Sequence, residues 1–204
     1  MCNFIVCCLT PLFFNLAFVK TPYWDKVDDE TKVNVENFVS NLMKSNINVK
    51  ELDLNNLILE SSEIHKKISG YEFKRSISAE RFHHYNELSD ILRNGRLSDG
   101  EKMTLSDYHN LLDHLEKHKH MINNKLFSYD CIISPSALGE ALNGLEYTGS
   151  PVLNTTWTLL GLPSITLPMF TSKNNLPIGC QFISKKADDN KLLSISKKIL
   201  LEFS

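Results

Sequence analysis

Leu160-Gly161-Leu162-Pro163-Ser164-Ile165-Thr166-Leu167-Pro168, and further on Leu176-Pro177-Ile178-Gly179-Cys180-Gln181-Phe182-Ile183, are the stretches on which the reading of this chain turns. Ser164 to Leu167 is a short apolar strand that Pro168 ends, because proline has no N–H for a ladder. Pro177 to Ser184 reads as a second strand. The polar residues from Thr171 to Leu176 read as the hairpin connection between them. Val152 to Leu160 predicts a helix that Gly161 stops.

Working outward, Asp130 to Ser134 is another apolar strand, stopped by Pro135, and residues 136–151 are a loop rich in glycine and small residues. After the hairpin, Asp188 caps a last helix with Leu192, Ile195 and Ile199 on one side. Near the start, residues 15–20 predict a buried strand that runs into the Thr21-Pro22 break. Asp28, Asp29 and Glu30 open a helix whose apolar stripe is Val35, Val39, Leu42 and Met43. Val49 to Leu54 gives the next strand, so the opening is a β-α-β unit. Between Asn55 and Leu126 there is no proline. Several helices are expected there, with breaks near Gly70 and between Asn94 and Gly100. Thr104 is the N-cap of the last, and Leu111, Leu115, Ile122 and Leu126 form its inward face.

The 204 residues suffice for one domain with a real core. A net charge of −2 supplies no basic excess to draw the chain onto phosphate backbones, which argues against a nucleic-acid partner. The five cysteines are odd in number and irregular in spacing. Cys131 and Cys180 sit in apolar runs and read as buried free thiols, which fits a reducing, cytoplasmic compartment. Residues 1–14 are apolar and uncharged, but Asn3 and Pro11 interrupt them and no basic segment precedes them. They are read as a non-native start rather than a weak membrane anchor, so membrane association is not expected.

Of the seven histidines, His114 and His118 are one helical turn apart and could face one ion. No third ligand is indicated, and Lys117 and Lys119 beside them point to a solvated face, so no metal is assigned. Ser172-Lys173, Ser184-Lys185 and Ser196-Lys197 are neighbours in sequence, whereas Ser–Lys catalysis needs neighbours in space. There is no nucleophile elbow, phosphate-binding loop or dinucleotide fingerprint, and no cofactor is expected.

Taken in order, Asp130-Cys131-Ile132-Ile133-Ser134-Pro135-Ser136-Ala137, then Thr148 to Thr158, the Gly-Leu-Pro element at 161–163 with its strand and Pro168, and Leu176-Pro177 with Gly179 and Gln181 resemble the amidase signature family. Phe18 to Trp24 resembles an earlier strand of that domain, and His65 to Glu80 with Leu88-Ser89 its helical region. The resemblance implies an α/β chain: a partial amidase-signature fold, a mixed β-sheet flanked by helices with a helical section over 55–127. It covers residues 15–204 as the C-terminal part of the domain.

The family hydrolyses amide bonds with a serine nucleophile, a bridging serine and a lysine base, and a Gly/Ser-rich loop stabilises the oxyanion. No Gly/Ser-rich segment of that kind occurs in these residues, so no catalytic residue is assigned. The resemblance therefore implies a fragment whose activity needs a separate N-terminal amidase half and a small-molecule amide substrate. The alternative is a non-catalytic binding or scaffold protein. Residues 134–158 are most similar to general small-molecule amidases. Thr148 and Asn154, which offer hydrogen-bonding groups, and Trp157, which offers an aromatic surface, are the candidates for the pocket lining.

Overall fold

The computed structural model describes residues 14–203. The expectation for residues 1–14 lies outside them apart from Phe14. Among the described residues five strands form one sheet: β1 (Asn15–Phe18), β2 (Asn48–Glu51), β3 (Cys131–Pro135), β4 (Ser164–Thr171) and β5 (Pro177–Ile183), in the order β2-β1-β3-β5-β4. β1 is parallel to both β2 and β3; β5 is antiparallel to both β3 and β4. The sheet is mixed because a hairpin joins the last two strands, whereas helices connect the first three.

Each strand sends alternate side chains to opposite faces. Leu16, Phe18, Cys131, Ile133, Cys180 and Phe182 pack on one side against α1 (Asp29–Lys44) and the C-terminal helix. Ala17, Val19, Ile132 and Ile183 pack on the other against α2 (Asn55–Ser76), α3 (Leu105–Leu126) and α4 (Thr155–Leu160). The result is a sheet flanked by helices on both faces, as expected. The C-terminal helix, α5 (Asp189–Phe203), buries Leu192, Ile195 and Ile199. Thr104 caps α3 reciprocally with Asp107: the Thr104 hydroxyl accepts from the Asp107 N–H and the Asp107 carboxylate accepts from the Thr104 N–H. Gly161 ends α4 with φ 64°, a left-handed cap that suits glycine.

Four local expectations are corrected. Met43 is exposed and Phe38 takes its place in the stripe of α1, at the centre of edge-to-face contacts with Phe170, Phe182 and Phe203. β2 ends at Glu51, so only the first part of the 49–54 run is strand. Gly70 does not break the helix: α2 runs through it, because the backbone of Gly100 crosses there. The expected break at 94–100 is real, with Gly95 at φ −101°, ψ −111° and short helical turns at Ser78–His83, Tyr85–Glu87, Asp90–Leu92 and Ser98–Glu101 around it. Finally, Pro168 does not end β4. The strand continues to Thr171 through a register shift between Leu167 and Phe170, which the sheet tolerates because β4 is an edge.

Candidate functional site

Beyond the carboxyl end of β3 the chain leaves the sheet through Pro135 and Ser136, beside the point where the strand order reverses between β1 and β3. Open α/β sheets place their ligand crevices there. A cleft of about 970 Å³ occupies the position. Its wall is the 136–151 loop with the start of α4, and its floor comes from β4 and β5 through Thr166, Pro168, Pro177 and Gly179.

The wall is held from several directions. Ser136 donates through both its N–H and its hydroxyl to the Gly179 carbonyl, at 3.2 and 3.0 Å. A Cβ on Gly179 would stand 2.5 Å from the Ser136 Oγ and from the Thr166 Cγ2, so any larger residue there would have to displace both side chains. The buried Gln181 donates through Nε2 to the carbonyls of Pro135 and Leu153, at 2.9 and 3.0 Å, and so closes the loop at both ends. The Leu138 carbonyl accepts from the Asp28 N–H at 2.7 Å. Asp28 itself caps α1 and accepts from the Thr31 N–H at 2.6 Å. Glu140 accepts from the Asn174 side chain in the β4–β5 connection, and hydrogen bonding by Ser172 and Asn174 holds its carboxyl below the usual carboxylate range.

Thr148 and Asn154 both line the cleft. The Asn154 amide donates to the Ser136 carbonyl at 3.1 Å, which orients its side chain along the wall. Trp157 is placed elsewhere. It is 2% exposed and packs among Leu160, Ile183 and the α2 and α3 side chains, so its ring belongs to the core and not to the cleft surface. Its Nε1 has no hydrogen-bond partner among the described residues. Gln181 and Ser136 enter the sequence reading only as parts of the family pattern; neither their spacing nor their type shows that they fasten the wall.

The histidine pair also differs from its reading. His114 is exposed and its Nε2 is 2.7 Å from Glu60, but His118 is fully buried, so the helix face is not solvated there. His118 Nε2 is 2.8 Å from the Ser61 Oγ and its Nδ1 lies 3.2 Å from a Glu60 oxygen. This looks like a hydrolytic triad in outline. However, Ser61 and His118 are both sealed from solvent, and the Ser61 hydroxyl donates to the Leu57 carbonyl, so no substrate can be attacked there. Among the described residues no group of three or more histidine, cysteine or acidic side chains is arranged to hold a metal ion.

The three serine–lysine neighbours are structural. Ser172 Oγ accepts from the N–H groups of Asn174 and Leu176, Ser184 Oγ donates to the Asp130 carbonyl, and Ser196 is buried on α5. Cys131 and Cys180 are buried free thiols, and burial pushes both well above the ordinary thiol range. No helix among the described residues is long and apolar enough to cross a membrane.

The fold is shared with solved structures. A crystal structure of an amidase superposes with a TM-score of 0.78 at 19% identity, over 96% of this chain and 47% of that one. A 6-aminohexanoate cyclic dimer hydrolase superposes with a TM-score of 0.75 at 13% identity, over 95% and 46%. In sequence, a glutamyl-tRNA(Gln) amidotransferase subunit from Borreliella afzelii is 29% identical over 92% of this chain and 45% of its own length. The chain thus spans about half the length of the relatives it matches. The family model described as Amidase matches residues 12–193, and the chain belongs to that family.

Proposed function

We propose that this chain supplies the amide-binding wall of an amidase-family site, and that hydrolysis of a carbon–nitrogen amide bond requires a serine–serine–lysine set on a separate N-terminal amidase half. The observation that carries this reading is the cleft beyond β3. Its wall is fastened in advance by Gln181, Ser136 and Asn154 and presents hydrogen-bonding groups, with no lysine beside a serine among the described residues of its lining. Such preorganisation lowers the ordering cost of binding a small ligand. Thr148 and Asn154 are the residues proposed to contact the substrate. The completed site would use a lysine to take the nucleophile's proton through the bridging serine, and a glycine-rich loop to stabilise the oxyanion. A sequence relative named as an amidotransferase subunit supports a chain that works beside a partner. The buried free thiols support a reducing, cytoplasmic setting.

The same fastening favours a second reading, a binding protein without chemistry, because a wall that needs no partner to form can hold an amide by itself. The test measures ammonia released from butanamide and benzamide by the purified chain, alone and mixed with the N-terminal half of an amidase-family relative that carries the serines and lysine. Release only from the mixture, abolished when the nucleophilic serine is replaced by alanine, is the expected result. Release by the chain alone overturns the requirement for a second half. Binding of either amide at the cleft without release in the mixture selects the binding protein.

A further inference from the structure

The charge of the cleft wall points to the class of amide it accepts. Among the described residues of its lining two are carboxylates, Asp28 and Glu140, and none is a lysine, arginine or histidine. The hydrogen bonds from Ser172 and Asn174 favour the ionised form of Glu140. The cleft also contains the start of α1, where unsatisfied N–H groups would ordinarily attract an anion. That position is already filled. Asp28 takes the Thr31 N–H at 2.6 Å and the Thr31 hydroxyl at 3.1 Å. The loop closes over the cap, since a Cβ on Gly139 would collide with the Asp28 carboxylate. The remaining polar side chains of the lining, among them Thr148, Ser150, Asn154 and Thr166, are neutral.

A concave wall with charges of one sign concentrates ligands of the opposite sign and repels those of its own. We propose that the cleft accepts amides whose remaining portion is neutral or cationic and rejects amides that carry a carboxylate. This charge preference rests on the reading of the cleft as an amide-binding wall.

The test uses the full chain and three probes of matched length: butanamide, 4-aminobutanamide and succinamate. Chemical-shift changes at the Thr148, Gly149, Asn154 and Gly179 amides report binding at low and high salt. Butanamide and 4-aminobutanamide are expected to bind at least about tenfold more tightly than succinamate at low salt, the gap narrowing as salt screens the carboxylates. Glu140→Gln is expected to narrow it further. Because the salt series needs no variant, it decides the matter even where Glu140→Gln weakens the fold. Succinamate binding as tightly as butanamide, with the same residues shifting, overturns the charge preference and leaves the amide-binding wall standing. No shift at these residues with any probe overturns the amide-binding wall itself, and the charge preference falls with it.

Discussion

Gly70, in the middle of α2, and Gly100, in the turn that follows the break at Gly95, cross backbone to backbone: a Cβ on Gly70 would stand 2.8 Å from the Gly100 nitrogen, and a Cβ on Gly100 would land on the Gly70 carbonyl. Neither obstacle is a side chain that can swing away. Gly100→Ala is therefore expected to force the helical section apart from α2, at a cost of about 3 kcal/mol. Thermal unfolding should show a drop in Tm of about 9 °C. An unchanged Tm would mean that the two backbones are not in contact in solution.

Gln181→Met keeps the bulk of the side chain but removes its N–H donors, leaving the Pro135 and Leu153 carbonyls without them. The cost should be about 2 kcal/mol. More telling is its location. Hydrogen exchange should accelerate across residues 136–154 and stay unchanged in α1 and α5.

The cleft and the core should separate in mutagenesis. Asn154→Ala and Thr148→Val alter exposed groups of the lining and should weaken butanamide binding about tenfold, with stability changed by less than about 1 kcal/mol. Trp157→Ala empties a core site and should cost about 4 kcal/mol. Trp157→Phe fills most of that site and removes the unpartnered Nε1, so it should cost far less than the alanine variant. Equal losses for phenylalanine and alanine in an unfolding titration would contradict the core placement.

Burial raises the folded-state pKa of Cys131 and Cys180, so the native chain keeps protons that the unfolded chain releases. The stability this contributes is fully present below the ordinary thiol range near about 8.5 and is lost as pH rises beyond it, by about 1.4 kcal/mol per pH unit per thiol. Denaturant midpoints between pH 8 and pH 10 should fall, and less steeply in Cys131→Ala. Peptide mapping after brief iodoacetamide treatment of the native chain should find both residues unmodified, and both modified after unfolding in denaturant.

Local patterns carried much of this fold because their causes are local. Leu192, Ile195 and Ile199 lie one helical turn apart, Thr104 and Asp107 bond to each other, and Gly161 needs only its own backbone angle. What was illegible depends on residues distant in sequence. Gly70 reads as a helix breaker by propensity, and only Gly100 explains why it sits inside a helix. His118 reads as solvated from its lysine neighbours, but Ser61 and Glu60 on α2 receive it in the interior. Pro168 reads as a strand end because position on a sheet edge is a property of the whole topology. In the cleft, hydrogen-bonding capacity singled out Thr148 and Asn154, which the structure places on the lining. Aromatic character made Trp157 a candidate for the lining, and the packing against residues distant in sequence assigns it to the core.

Gln181 matters for more than stability. One side chain grips the two ends of an excursion from Pro135 to Leu153, and the segment's other ties to the frame, at Ser136, Leu138 and Glu140, also lie near its start, so the frame holds the ends and little of residues 141–150. Lengthening such an excursion is inexpensive, about 0.6 kcal/mol for each doubling. The segment behaves as a cassette: residues 141–150 can be rewritten, shortened or extended while the sheet beneath keeps its register.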